Sequence, residues 1–548
     1  MYVTASGGQV GGAAANSSIQ LVSALGACGT LPASIVINEL TSTAAAYALS
    51  GFAPTAGTSP VTFQGKSPGI NQAFVTLTNL ITGSTGTLAA GRETNSAVVQ
   101  QRLNTVANAM AACDMSSGAA ACAELFSCAK ANAVFATTGQ PCTGGTGTTT
   151  ADTLNAALAI VQNAGLVSMA GIQDVATSAT PFVPALTSAP SEWTLPLVFN
   201  IRNYGPLTVD AAGHVWLLAP DPHPSSPPPA IPSLAVAEID ADGTFISPHQ
   251  TGHDWSGGGV SSIQGNDVTN LAIDQSGNVW VSGSGSNIAE LTSTGAGVTG
   301  APWNQGGAAV DDTAAVTIDS AGNAWIASGN TQSTVFEFSQ AGLNISGSTG
   351  YSTVNCPCNG MAADRSGNVW TVSSGTGQFL SQLNSGGQES NIFKPPAAFS
   401  LAQFFSVATD GSGDLWITDK HYHGVWQFTP SVSGGTYSAT PFPNHAASGT
   451  APKGIAIDGA NHKWVANNSS PFPSLTELSA DGATNLSPSD GFGFQVNAAV
   501  QGAYGIAIDG SGNVWVTDGA SNVTEYVGAA APTKNPIVSA IASGSFVP

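Results

Sequence analysis

Apolar and polar residues alternate along residues 505–517, whose sequence is GIAIDGSGNVWVT. Two apolar triplets with period-two spacing flank a D-x-S-G-N segment, and this pattern predicts two short strands joined by a tight turn. Glycine supplies the positive φ that such a turn needs, and an Asp side chain accepts hydrogen bonds from the backbone two residues on. The segment therefore predicts a β-hairpin.

The hairpin pattern occurs seven times, with an Asp at each turn and a Trp six residues later. The Asp residues are Asp210, Asp274, Asp319, Asp364, Asp410, Asp458 and Asp509, and the Trp residues are Trp216, Trp280, Trp325, Trp370, Trp416, Trp464 and Trp515. Successive Asp residues lie 64, 45, 45, 46, 48 and 51 positions apart. A repeat of this length, built of short strands, is typical of a propeller blade.

A third and a fourth strand are predicted in each copy. The third strands are expected at AEID, AELT, FEFS, SQLN, WQFT, TELS and TEYV, and fourth strands at GVTGAPW, LNISGST and TNLSPSD. Seven copies of four strands predict an all-β seven-bladed β-propeller over residues 191–545, with the repeated Trp residues as wedges between blades. The segment Trp193–Phe199 is predicted to complete the last blade, because an open ring would expose unpaired edges. The alternative closing strand is Pro536–Ile541.

These units resemble the NHL-repeat and streptogramin-lyase-like (virginiamycin B lyase-like) propellers of bacterial secreted type, over residues 191–530. The resemblance implies the fold and leaves the activity open, because propellers host many functions. Streptogramin lyases use a His, a nearby Glu-x-His pair and a magnesium ion. This chain has no Glu-x-His; the nearest forms are Asp221-Pro222-His223 and Asp419-Lys420-His421. No catalytic residue is therefore transferred from that family.

The chain before the repeats has a different pattern. Apolar residues at helical spacing predict an Ala-rich, all-α domain over residues 14–182. Helices are expected at Ser18–Leu25, Ile35–Leu49, Ile70–Ile81, Ala97–Ala112 and Thr153–Val161. Residues 1–13 are interpreted as a strand and Gly-rich loop left from a preceding domain, and the Pro-rich residues 183–190 as a linker. The start lacks the pattern of a signal peptide, so we expect a truncated N-terminus.

The charge, apolar runs and cysteine content of the chain limit the kinds of partner and compartment that we expect for the protein. Eleven Lys and Arg against 32 Asp and Glu give a net charge of −21, which argues against nucleic-acid partners and anionic membranes. No apolar run is long enough for a transmembrane helix, so no membrane insertion is expected. Five of the seven cysteines lie in the first 142 residues, in apparent loops, and disulfides are predicted among Cys113, Cys122, Cys128 and Cys142. Cys28 is left over, and one cysteine of the Cys356-Pro357-Cys358 pair is expected to bond elsewhere. The protein is predicted to be secreted or at the cell surface.

Candidate chemistry gathers in the loops that join second to third strands and one blade to the next. The candidate site residues on this loop face are Asp419, His421, His423, His445, His253, Trp255 and Trp303. In an extended segment Asp419, His421 and His423 would project to one side, and the two His residues could bind a divalent metal such as Mg²⁺ or Ca²⁺. In the alternative, Asp419 continues the W-x-x-D pattern of the repeat, as Asp518 does. Asp240–Gly243 and Asp311-Asp312 are interpreted as turn residues.

Two hypotheses for the function follow. In the first, the chain is an exported, non-catalytic binding or surface-scaffold protein whose loop face holds a protein, a small molecule or a glycan. In the alternative, it is a metal-assisted lyase or hydrolase of the streptogramin-lyase type, acting on a small cyclic or ester-containing molecule. Stoichiometric binding of a divalent ion would distinguish the two.

Overall fold

The structure is a computed structural model. It describes residues 1–8, 15–26, 33–54, 60–91, 93–116, 119–147, 149–220, 234–248, 254–263, 270–283, 287–304, 313–328, 334–353, 358–373, 380–430, 436–437, 442–443, 451–468, 474–488, 493–495 and 502–547. Cys28, His223, His249, His253, Asp311, Asp312, Cys356 and His445 lie outside these ranges.

The described residues of the N-terminal part form six α-helices, a 3-10 helix at Ser50–Phe52 and three two-stranded ribbons. The helices are α1 (Glu39–Leu49), α2 (Gly69–Leu80), α3 (Ser96–Asp114), α4 (Ala119–Cys128), α5 (Thr153–Gln162) and α6 (Met169–Thr177). The ribbons pair β1 (Tyr2–Ser6) with β2 (Gln20–Ala24), β3 (Ile81–Thr82) with β4 (Thr87–Leu88), and β5 (Ala131–Val134) with β6 (Thr143–Thr146). The all-α expectation is therefore wrong for this part of the chain.

The predicted helix at Ser18–Leu25 is also wrong, because Gln20–Ala24 is a strand paired with Tyr2–Ser6. A run of this length fits both periodicities, and its tertiary partners decide between them. The Ser42 side chain on α1 accepts a hydrogen bond from the backbone N–H of Val22. Residues 1–8 therefore pair within the N-terminal part rather than standing apart from it.

Disulfides form between Cys113 and Cys122 and between Cys128 and Cys142, as predicted. Three of these cysteines lie on α3 and α4 rather than in loops. Cys358 is disulfide-bonded as well. Among the helices that the structure describes, none is both long and apolar enough to cross a bilayer.

In the rest of the chain, the described residues form seven small antiparallel sheets, numbered here 1 to 7. Sheet 1 is β8 (Leu207–Val209), β9 (Val215–Pro220) and β10 (Leu234–Ile239); sheet 2 is β11 (Asn270–Ile273), β12 (Val279–Ser282), β13 (Asn287–Leu291) and β14 (Trp303–Asn304); sheet 3 is β15 (Thr313–Ile318), β16 (Ala324–Ser328), β17 (Thr334–Phe338) and β18 (Tyr351–Ser352); sheet 4 is β19 (Cys358–Ala363), β20 (Val369–Ser373), β21 (Leu380–Leu383) and β22 (Glu389–Phe393). Sheet 5 is β23 (Phe404–Thr409), β24 (Leu415–Asp419), β25 (Gly424–Thr429), β26 (Thr436–Tyr437) and β27 (Phe442–Pro443); sheet 6 is β28 (Pro452–Ile457), β29 (Lys463–Asn467), β30 (Ser474–Leu478) and β31 (Phe494–Gln495); sheet 7 is β32 (Ile506–Ile508), β33 (Val514–Thr517), β34 (Val523–Tyr526) and β7 (Pro196–Phe199).

The first strands of the seven sheets surround a central channel. Each packs beside the first strand of the next sheet, and β32 of sheet 7 packs against β8 of sheet 1. Backbone hydrogen bonds also close the ring, since β7 from the start of the repeats pairs with β34 near their end. The predicted closing strand is thus confirmed, and the alternative segment Pro536–Ile541 falls instead in a helix, α7 (Ile537–Ser543). The third strands lie where predicted. The fourth strands do not, because β14 overlaps the predicted GVTGAPW only at Trp303, and β18 and β31 begin after the predicted LNISGST and TNLSPSD segments.

The repeated Asp and Trp form one hydrogen-bonded unit in every sheet. One Asp oxygen accepts from the backbone N–H groups two and four residues on, and the other accepts from the indole N–H of the Trp at 2.8–3.3 Å. The unit is buried, so an unpaired carboxylate would be costly there. This network explains the fixed spacing of six residues.

A second hydrogen bond ties the turn to the third strand in sheets 2, 3, 5 and 7. Asn278, Asn323 and Asn513 donate side-chain amide hydrogens to Glu290, Glu337 and Glu525. In sheet 5 the donor and the acceptor change places, because Gln427 of the third strand donates to Asp414 of the turn at 2.7 Å. The turn residue and the third-strand residue therefore match as donor and acceptor.

Aromatic side chains on the outer strands lock neighbouring sheets together. Phe199, Trp255, Trp303 and Tyr351 each cover a glycine of the next sheet, respectively Gly243, Gly295, Gly342 and Gly387. A Cβ on any of these glycines would lie 2.1–2.4 Å from the covering ring, and all four have positive φ. These positions therefore require glycine both for the backbone conformation and for the close approach.

The two ends of the channel differ. The D-x-x-G turns define the turn face, and the remaining loops define the loop face. On the turn face, Ala531, Thr533 and Asn535 bond to turn residues of sheets 6 and 7, and Val538 and Phe546 pack into the apolar core there. Helix α2 lies on the same face, where Thr76 accepts from Asn513. The channel is thus filled at its turn-face end by the C-terminal segment, residues 531–546.

Candidate functional site

The loop-face mouth of the channel is formed by the residues that begin the first strands. Counting back five positions from the repeated Asp gives Asn359, Phe405, Lys453 and Tyr504 in sheets 4 to 7. The same position holds Gly205, Thr269 and Ala314 in sheets 1 to 3. Larger side chains therefore occur at this position in four successive copies of the repeat, whereas Gly, Thr and Ala occur in the other three. No requirement of the repeat explains this asymmetry.

Aromatic rings and an ammonium group meet on the side formed by sheets 5 to 7. The Lys453 Nζ lies 3.8 Å from the centroid of the Phe405 ring and 5.2 Å from that of Tyr504. The two rings are edge to face, with centroids 6.0 Å apart. Gly205 makes room for Tyr504, because a Cβ there would lie 2.5 Å from the ring. The cation is therefore held over aromatic faces at the rim of the channel.

The mouth encloses a cavity of ≈ 150 Å³ lined by polar groups that have spare hydrogen-bonding capacity. In the described part of the chain, the Ser406 and Tyr504 hydroxyls of this lining have no hydrogen-bond partner, and neither has the Lys453 ammonium, which lies next to the lining over the Phe405 ring. Asn270 accepts from the N–H of Leu271 and Asn359 donates to the carbonyl of Phe404, which leaves the amide N of the first and the amide O of the second free. These groups can serve a polar ligand.

Electrostatics single out Lys453. Burial lowers its pKa to about 8, and the nearby Lys420 ammonium adds to the effect. Among the described residues, no carboxylate forms an ion pair with it, although the chain carries 32 acidic residues and only 11 Lys and Arg. At neutral pH Lys453 is still mostly cationic, and an anion placed beside it would relieve the repulsion between the two lysines.

Below the mouth the channel continues as a cavity of ≈ 230 Å³. Small side chains such as Thr208, Ala272 and Thr317 line it, and Val538 and Ile541 of the C-terminal segment lie at its far end. Residues such as Leu207, Asn270 and Met361 line both cavities, so this space adjoins the mouth.

The loop residues predicted from the sequence have a different arrangement from the expected one. Residues 420–423 form a turn rather than an extended strand, and His423 has φ +54. Asp419 is fully buried and accepts from the backbone N–H groups of Gln403 and His421 and from the indole N–H of Trp426. It therefore stabilises the turn, and the premise of three side chains projecting to one side is wrong. Metal binding by His421 and His423 stays a prediction.

Trp255 and Trp303 support the sheets. Their indole N–H groups donate to Glu238 and Glu290, at 3.2 Å and 2.6 Å. Their rings cover the glycines described above. Both side chains are thus committed to contacts between sheets, and His253 and His445, the remaining candidates, lie outside the described residues.

Two groups on the turn face bring a His between two carboxylates, Asp210–His214–Glu238 and Asp458–His462–Glu477. His214 Nδ1 lies 3.3 Å from Asp210 Oδ2 and 3.0 Å from Glu238 Oε1. Hydrogen bonds to these carboxylates raise the pKa of His214 to about 10. Asparagine makes the corresponding bond to Glu in three other sheets, so the histidines are best explained as donors within the repeat rather than as metal ligands.

The mouth could not be predicted from motifs, because its residues do not form a motif along the chain. They are 46, 48 and 51 positions apart and become neighbours only when the copies are aligned on their Asp residues. The feature that could have revealed them is the position five residues before the repeated Asp, which holds a different residue in each of sheets 4 to 7.

Comparison with known proteins gives a likeness of fold. No protein-family model and no curated protein matches the chain. Among solved structures, it is similar to a streptogramin B lyase (14% identity, 61% of this chain and 97% of that chain, TM-score 0.43) and to virginiamycin B lyase from Staphylococcus aureus (14% identity, 61% and 98%, TM-score 0.42). It is also similar to the extracellular domain of the hybrid two-component system BT3049 from B. thetaiotaomicron (13% identity, 65% and 46%, TM-score 0.43). The streptogramin-lyase-like resemblance seen in the repeats recurs here as a likeness of fold, and it carries nothing about activity.

Proposed function

We propose that the seven sheets are the blades of one seven-bladed β-propeller, and that the protein is an exported, non-catalytic binding protein holding a small ligand at the loop-face mouth. One observation carries the proposal. Successive sheets place non-repeating side chains with free polar groups around a cavity, while the C-terminal segment fills the opposite end. Convergence into a concave site favours a small ligand over a protein partner. The disulfides support export, because such bonds persist in oxidising compartments.

The groups at the mouth suit binding. Two amides, two hydroxyls, aromatic faces and one ammonium can orient a ligand through hydrogen bonds, stacking and charge. The alternative of a metal-assisted lyase or hydrolase draws no specific support from these side chains. It remains an outcome of the test below, because a converted ligand would reveal chemistry.

Thermal-shift screening of a chemically diverse small-molecule library tests the proposal. Ligands that bind the folded state raise the melting temperature. Ser406→Phe fills the mouth, and Ser412→Phe makes the same change on the turn face of the same sheet, where Ser412 is exposed. We expect compounds that stabilise the parent and Ser412→Phe but not Ser406→Phe. Compounds that stabilise all three proteins equally would contradict a site at the mouth, and chromatography of the recovered ligand would detect any conversion.

A further inference from the structure

The aromatic rings at the mouth are the first indication of the ligand class. Phe405 and Tyr504 are half-buried and line the cavity together with Gly360 and Gly454, and the Lys453 Nζ lies over the Phe405 ring. Aromatic faces pack well against the C–H faces of a pyranose ring, which is apolar on its faces and polar at its edge. The cavity of ≈ 150 Å³ is on the scale of a single sugar ring.

The polar groups fit the edge of such a ring. Asn270, Asn359 and Ser406 offer a donor, an acceptor and a hydroxyl that can do either. Sugar hydroxyls are likewise both donors and acceptors, so they can satisfy all three side chains. A purely apolar ligand would leave these groups without partners and would bind at a penalty.

The charge at the mouth selects among sugars. Lys453 has no carboxylate partner among the described residues, and Lys420 lies close enough to affect its pKa. A carboxylate on the ligand would pair with Lys453 in a partly buried setting, where a charge-assisted hydrogen bond is stronger than a neutral one. We infer that the ligand at the loop-face mouth is an acidic monosaccharide or the end of a short acidic saccharide, with its carboxylate at Lys453 and its ring against Phe405 and Tyr504. The inference rests on the proposed binding function and specifies its ligand.

Calorimetric titration of the full chain with matched sugar pairs tests the inference. The pairs are glucuronate with glucose and galacturonate with galactose, which differ in the carboxylate alone. We expect the parent to bind one of the acids about tenfold or more tightly than its neutral counterpart, the factor that one such bond supplies. Lys453→Gln should lose this preference, and Lys453→Arg should keep most of it.

Lys534→Gln is the control for a general effect of charge. Lys534 belongs to the C-terminal segment on the turn face, where its ammonium bonds to Ser543. This variant should bind acidic and neutral sugars as the parent does, and circular dichroism should show that all variants are folded.

Other outcomes overturn the inference in distinguishable ways. Equal affinity of the parent for acidic and neutral sugars would show that Lys453 does not pair with a sugar carboxylate. Loss of the preference for acidic sugars in Lys534→Gln would show the same. Tighter binding of glucose 6-phosphate than of glucuronate would point to a phosphate ligand. If no sugar binds while other compounds bind the parent and fail to bind Ser406→Phe, the saccharide class is wrong and the proposed binding function stands. If no compound distinguishes Ser406→Phe from the parent, both fail.

Discussion

Replacement of Gly342 by Ala tests the contact between sheets 2 and 3. Gly342 has φ +75, and a Cβ there would lie 2.2 Å from the Trp303 indole. Gly347, in the same stretch between the third and fourth strands of sheet 3, has φ +73 and open space where its Cβ would be. Both substitutions place Ala in a left-handed conformation, and only one meets a ring.

The magnitudes follow from this difference. Alanine at positive φ costs about 1 kcal/mol relative to glycine, so Gly347→Ala should lose about that much. Gly342→Ala must also displace a packed indole, and overpacking adds about 1–3 kcal/mol. The displaced Trp303 would strain its hydrogen bond to Glu290 as well. Gly342→Ala should therefore be clearly the more damaging of the two.

Urea unfolding of the full chain, followed by Trp fluorescence and circular dichroism, measures both losses. A double-mutant cycle isolates the steric part: in a Trp303→Ala background, Gly342→Ala and Gly347→Ala should cost the same. Equal losses in the parent background would refute the packing of Trp303 against Gly342. An excess loss that persists without Trp303 would show that the collision is with something else.

Three further predictions concern the repeat. Gln427→Glu should destabilise the fold by about 1–3 kcal/mol at pH 7, because it places a second carboxylate beside Asp414. The control Gln382→Glu, at the matching position of sheet 4, should be nearly neutral. Urea unfolding at pH 7 measures both. The pKa of His214 is raised to about 10, so the stability that its charge gives the fold is complete below pH 6.5 and is lost as the pH rises through 10. His214→Asn should therefore flatten the dependence of the unfolding free energy on pH over that range. An unchanged dependence would contradict the pairing of His214 with its two carboxylates. Deletion of residues 191–200 should lower the melting temperature strongly, since it removes the closing strand, and an unchanged melting temperature would rule out that role.

The repeat made much of the fold predictable. Each Asp is bonded to its own turn and to the Trp six residues on, so the pattern along the chain is also the contact in space. The closing strand could be inferred because a strand before the first repeat had no partner and the last sheet lacked one. The match of donor and acceptor between Gln427 and Asp414 could also be predicted from the sequence, but only once the register of the second and third strands was known.

Other features depended on tertiary contacts that no repeat encodes. Gln20–Ala24 is a strand because Tyr2–Ser6 pairs with it, and nothing within five residues distinguishes that outcome from a helical turn. Residues 531–546 fill the channel through contacts with distant turns, as between Ala531 and Asp458, which are 73 residues apart. At His421 the local sequence was misinterpreted because a turn replaces the assumed extended backbone. The mouth required residues from four separate copies to be compared at one position.

A crystal structure of the full chain with bound glucuronate tests whether the loop-face mouth is the ligand site. We expect a sugar ring against Phe405 and Tyr504, with its carboxylate within about 4 Å of the Lys453 ammonium. A sugar bound elsewhere, whether at the turn of His421 and His423 or on the turn face, would contradict it.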